Sequence, residues 1–143
     1  MTQHFVLPEF LVSGKAQLLG IDNTPPQEVE IHLEFLMQEL EQVRTLLGYP
    51  MHISSGYRCP QLNRAIGGSK DSAHMQGFAA DFTCPQFGAP PEIVRRLAAS
   101  GLRFDQLIQE STWVHISFDP RMRQEVLTAH FVPGGPTVYT KGV

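Results

Sequence analysis

The string Ser72-Ala73-His74-Met75-Gln76-Gly77-Phe78-Ala79-Ala80-Asp81 carries an imidazole and a carboxylate with six residues between them. Both side chains suit Zn2+, and they reach one ion if the chain turns back between them, which Gly77 permits. A third protein ligand would leave the fourth tetrahedral position open to water, the arrangement of a catalytic zinc site. His115, inside Trp113-Val114-His115-Ile116-Ser117, is the best third ligand. The spacing alone is a weak signal, because the chain has six histidines and any one of them alone reads as packed or exposed. The weight comes from the combination. His4, His32, His52 and His130 match no such pattern and read as structural.

These residues need elements to hold them. Residues 8–20 read as one short helix, with Phe10, Leu11, Leu18 and Leu19 as its apolar positions and Gly20 as its stop. Thr24 reads as the cap of a second helix, with Pro25 and Pro26 in its first turn. Val29, Leu33, Leu36, Leu40, Val43 and Leu47 follow at intervals of three and four, the amphipathic pattern of a core-packed helix that Gly48 and Pro50 end. Residues 51–55 read as a strand, 60–66 as a helix ending in Gly67-Gly68, 69–77 as a polar loop and 78–83 as a buried strand. Pro90-Pro91 opens another helix, with Ile93, Val94, Leu97 and Ala98 inward and Gly101 as its stop. Strands are expected at 105–109, 113–118, 126–132 and 137–139, the last two separated by the turn Pro133-Gly134-Gly135-Pro136. Helices first and strands later make the class α+β, N-terminal helices packed on a small, mainly antiparallel sheet.

The chain has 143 residues, 42% of them hydrophobic, and a formal net charge of −3. That is one globular domain over residues 1–143, without repeat, linker or low-complexity tract. The charge gives no reason to expect a nucleic-acid partner, and the densest basic pair, Arg95-Arg96, reads as a solvated helix face. No apolar run approaches the ~18 residues of a membrane span. The start, Met1-Thr2-Gln3-His4-Phe5, lacks the basic and apolar regions of a secretory signal, so synthesis in a cytoplasm is expected. Lysis by another protein or delivery on a particle could still carry the protein out. Cys59 and Cys84 are too few for a disulfide framework and lack C-x-x-C spacing, so two reduced, buried thiols are expected, with a single bridge as the alternative.

Ser55-x-Tyr57-Arg58, Asn63, Gly67-Gly68, Ser72-x-His74-x-x-Gly77-x-Ala79-x-Asp81 and Trp113-Val114-His115-Ile116-Ser117 together resemble the M15 peptidases. The opening Phe5-x-x-x-Glu9-Phe10 resembles them too, and the nearest branch is the compact one of bacteria and tailed phages. The resemblance implies a hedgehog/D,D-peptidase-like fold and a zinc D-Ala-D-Ala carboxypeptidase or related peptidoglycan peptidase. His74, Asp81 and His115 fall at the family's zinc ligands. Arg58, sixteen residues before His74, falls at a substrate-facing arginine, which would pair with a terminal carboxylate or steady an oxyanion. Some branches carry an acid three residues before the last histidine, where this chain has Thr112, which cannot act as a base. Others carry it five residues before, and Glu110 stands there, making it the expected general base. Ser72 and Ser117, and with less warrant Gln106, are expected to support the ligands through hydrogen bonds.

The expected substrate is therefore a peptidoglycan stem peptide and the expected cofactor Zn2+, on a monomer. The same fold performs L-Ala-D-Glu endopeptidase chemistry, and it also serves as a non-catalytic zinc module in binding or signalling. Arg58 and Glu110 together speak against the last, since a purely structural zinc site needs neither.

Overall fold

A computed structural model describes residues 2–143. Its longest element is the helix α2, Gln27–Leu47, whose Val29, Leu33, Leu36, Met37, Leu40, Val43 and Leu47 are all buried. The helix stops where the apolar spacing stops, at Gly48 in the left-handed conformation (φ 76°), which L side chains adopt at a cost. Its start differs from expectation. Pro26 is the cap residue, while the Thr24 N–H donates to Asp22 Oδ1 in a local turn outside the helix.

Residues 8–20 also depart from the single helix expected of them. They form a 3-10 turn, Leu7–Phe10, then the helix α1, Gly14–Leu19. The break lies at Ser13, held extended (φ −148°) with its side chain accepting from Ala16 N–H. An N-cap conformation cannot sit inside a continuous helix, so Ser13 divides the segment.

The remaining helices are α3, Pro60–Ala65, capped by the Cys59 sulfur, and α4, Pro90–Ala98. Six strands form one sheet: β1 His52–Ser55, β2 Ala79–Thr83, β3 Gln106–Glu110, β4 Trp113–Ser117, β5 Glu125–His130 and β6 Val138–Lys141. Their order is β1-β2-β4-β3-β5-β6. All neighbours are antiparallel except β3 and β5, which run parallel. The class is α+β, with helices packed on a mostly antiparallel sheet.

Side chains alternate between faces along each strand, so the register assigns every residue a side. Ala80, Phe82, Leu107, Val114 and Ile116 point to one face and are fully buried. There α4 packs on β3 and β4, and α2 packs on α4. Burying five such side chains stabilises this layer by about 1.5–3 kcal/mol for each large one. Residues at the intervening positions point the other way. Ser55, Asp81, His115, Ile108, Leu127 and Lys141 pair directly across all six strands in one row. Trp113, Glu110, Ala129 and Tyr139 make the parallel row beside it.

Cys59 and Cys84 are both free and buried, so the bridge considered from sequence does not form. No helix among the described residues is long and apolar enough to cross a membrane.

Candidate metal centre and catalytic cleft

Asp81 and His115 are cross-strand partners on β2 and β4, so the sheet itself brings carboxylate and imidazole together. His115 Nδ1 lies 3.0 Å from Asp81 Oδ1. His74 arrives from outside the sheet, and here the expected plain loop contains a 3-10 turn, Ala73–Gln76. Ser72 caps that turn by accepting from the His74 N–H, and Gly77 ends it at φ 79°. A Cβ at Gly77 would come within 2.9 Å of the Val29 carbonyl oxygen and Cγ1, so both its conformation and its fit against α2 call for glycine. His74 Nε2 then sits 3.2 Å from the same carboxylate oxygen as His115.

The other nitrogen of His74 is fixed by backbone. Nδ1 lies 2.7 Å from the Gly56 carbonyl oxygen, which can only accept, so Nδ1 carries the proton and Nε2 offers its lone pair. Gly56 is placed by close contact. The Tyr57 N–H donates to the Phe10 carbonyl, and a Cβ on Gly56 would lie 2.6–2.7 Å from Phe10 backbone atoms and Cβ. The N-terminal 3-10 turn thus presses Gly56 towards the site.

His74, Asp81 and His115 each present a ligand atom, all within 4.8 Å of one another. Two imidazoles and one carboxylate, with the tautomer of one imidazole locked, fit a metal ion such as zinc. Burial alone would raise the Asp81 pKa, but it is outweighed by the two histidine side chains that face the carboxylate, and the carboxyl is held far below its usual range. Burial lowers the His74 pKa against the pull of Asp81. For His115 burial is overcome by the hydrogen bond and charge of Asp81, and its pKa rises.

The cleft over these residues has a volume of about 610 Å3, and Arg58, Ser72, His74, Asp81, Glu110 and His115 all line it. Glu110 projects on the ligands' face of the sheet, at the end of β3 opposite Trp113. Ser111, at φ 44°, tightens the hairpin there, and Glu110 Oε2 accepts from the Trp113 indole N–H at 3.2 Å. Burial first, and then the nearby Asp81 charge, push the Glu110 pKa up, against His115, Trp113 and Arg58. Thr112 sits in the turn, outside both strands. Arg58 follows β1, its N–H donating to the His74 carbonyl and its Nη2 to Ser72 Oγ at 3.1 Å. Its Nε is buried without a partner among the described residues, and the residue lines the cleft. Burial lowers the Arg58 pKa, opposed by Asp81 and Glu110.

Ser72 accordingly serves two groups at once, His74 and Arg58. Ser117 Oγ accepts from the Gln106 N–H at 3.1 Å, tying β3 to the strand that carries His115. The Gln106 side chain donates to Glu125 Oε1 at 2.9 Å. Three of the other histidines have structural partners: His4 pairs with Glu41, His32 bonds the Gln76 carbonyl and stacks on Phe78, and His130 meets Thr140; His52 is exposed at the start of β1. Sequence reasoning missed Gly56, whose contribution is a carbonyl and carries no side-chain signal. It also missed Phe131 and Tyr139, which line the cleft beyond Glu110. Alternation along β4 could have found Trp113, which shares a face with His115.

No curated protein shows significant similarity to the chain. The family described as Peptidase M15 matches residues 3–117, a span that takes in Arg58, all three clustered metal-ligand candidates and Glu110, and the chain therefore belongs to the M15 peptidases.

Proposed function

We propose that this protein is a zinc-dependent peptidase that hydrolyses peptidoglycan stem peptides, as a D-Ala-D-Ala carboxypeptidase or D,D-endopeptidase. The observation that carries this reading is the convergence of His74 Nε2 and His115 Nδ1 on one oxygen of Asp81, in a cleft that Glu110 and Arg58 also line. His74, Asp81 and His115 would hold the ion, which when bound supplies the Lewis acidity that activates water and polarises a peptide carbonyl.

The protein's own groups do the rest. Glu110 takes a proton from the attacking water and returns it to the departing amine, a role suited to a carboxylate whose pKa burial raises above its ordinary value. The Gly56 carbonyl keeps His74 in its ligating tautomer. Ser72 orients the Arg58 guanidinium, whose free donors receive the substrate's terminal carboxylate as a planar pair.

The test combines metal content with product identity. Demetallated and zinc-refilled protein is expected to hold about one zinc per chain, and a His74→Ala, His115→Ala double variant is expected to hold none. Defined stem peptides are then incubated with the zinc-loaded protein and the products weighed by mass spectrometry. Loss of the terminal D-Ala supports the proposal, and cleavage between L-Ala and D-Glu replaces it with the other peptidase activity of this fold. No cleavage with zinc bound would reduce the protein to a binding module.

A further inference from the structure

The C-terminal hairpin, β5 and β6, lies beyond the span matched by the family, yet it forms one wall of the cleft. Tyr139 is opposite Ala129, and Ala129 is opposite Glu110, so the phenol and the carboxylate project from the same face with only a methyl group between them. On the far side of Glu110 stands Trp113, whose ring meets that of Phe131 at 5.9 Å between centroids. Trp113, Phe131 and Tyr139 all line the cleft with Glu110. Phe131 and Tyr139 are each about half exposed, at 50% and 51%, although they are large rings on a folded hairpin. Arg58 follows β1, and β1 and β6 are the two opposite edges of the sheet. Arg58 thus stands on one side of the candidate metal ligands and the rings of the hairpin on the other, while Arg121 and Arg123 also line the cleft.

We propose that Trp113, Phe131 and Tyr139 form the subsite for the acyl side of the stem peptide, with Tyr139 and Phe131 as specificity-determining residues. This rests on the peptidase reading. With the terminal carboxylate at Arg58, the part of the substrate that precedes the scissile bond runs away from Arg58, over β3 towards the hairpin. The residue that reaches the rings is the diamino acid preceding D-Ala-D-Ala. Its methylene chain packs on aromatic faces and its ammonium group is drawn to their π-electron density and to the Glu110 charge.

Trp113 is the single tryptophan of the protein, and its emission therefore reports this subsite directly. The zinc-loaded protein is titrated with two peptides whose scissile amide is replaced by a methyleneamine, so that binding is read without hydrolysis. One is N-acetyl-L-Lys-D-Ala-D-Ala and the other is D-Ala-D-Ala. The longer peptide is expected to shift the emission saturably and to bind roughly tenfold more weakly to Tyr139→Ala and to Phe131→Ala. The shorter should bind wild type and variants within about twofold. Tyr139→Phe should keep most of the affinity if the ring face is what matters. Equal weakening of both peptides, no weakening of either, or no emission change with the longer one would each overturn the subsite. Unchanged zinc content and melting temperature in the variants exclude misfolding as the cause. Hydrolysis of the unmodified peptides by wild type is scored separately, so failure of the peptidase reading is distinguishable from failure of the subsite.

Discussion

Glu110 and Arg58 face the same cleft from different elements, and their chemistry separates in substitution. Glu110→Gln keeps the shape and the Trp113 contact but cannot accept a proton. Turnover is expected to fall by roughly 10²–10⁴ with zinc still bound, whereas Thr112→Ala, in the turn, should change little. Steady-state rates beside metal analysis check this, and near-normal turnover in the Gln variant would remove Glu110 from the base role. Arg58 already gives one donor to Ser72 and keeps a buried Nε without a partner. A carboxylate clamp predicts that peptides ending in a free acid are cut better than their amides, by about thirty- to hundredfold in kcat/KM. Arg58→Lys should erase most of that preference, because an ammonium offers no planar fork. Equal cleavage of acid and amide by the wild type would assign Arg58 to the oxyanion instead.

At the scale of elements, the candidate ligands depend on contacts that span the chain. The N-terminal turn holds Gly56 by backbone contact, and Gly56 holds His74. Gly56→Ala puts a methyl against Phe10 backbone and is expected to cost about 1–3 kcal/mol of stability. By disturbing the acceptor of the His74 Nδ1 proton, it should also weaken zinc binding about 10- to 100-fold. Urea melts and competition with a chromophoric chelator measure the two effects, and full zinc affinity in a destabilised variant would separate the turn from the site. This dependence was the least legible part of the sequence. The spacing of α2 and the apolar runs of β2 and β4 are local patterns, so those elements could be read from them, whereas the meeting of Asp81 with His115 joins distant segments and was legible only through the M15 motif. The division of residues 8–20 turned on Ser13, whose capping conformation competes with helix and has no periodic signature. The placement of Tyr139 beside Glu110 needs the parallel register of β3 with β5, a pairing between distant segments that no local pattern encodes.

At the scale of the molecule, Asp105 is a buried carboxylate outside the candidate ligand cluster, 1% exposed. It accepts from the Arg123 backbone, Nε and Nη2, each at 2.9 Å, and so fastens the chain between β4 and β5. Burial would raise its pKa, but the hydrogen bonds and charge of Arg123 prevail and lower it. A carboxyl whose folded pKa is depressed contributes stability above its unfolded value, near 4, and loses it as pH falls through the folded value. Asp105→Asn should therefore cost about 1–3 kcal/mol at pH 7, and the gap from wild type should narrow in urea melts near pH 3. A gap independent of pH would mean that the hydrogen-bond geometry, and not the charge, holds this junction. That junction delivers β5 to the open side of β3. Without β5, the β3 backbone would present a row of unsatisfied donors and acceptors at a sheet margin, a template on which other chains could stack. Both outer margins of the complete sheet are strands of only four residues: β1 has a register irregularity between Ile53 and Ser55, and β6 ends in Lys141 and is followed by Gly142. Short, interrupted, charged margins are poor seeds for fibrils, so the hairpin that walls the cleft also guards the protein against aggregation.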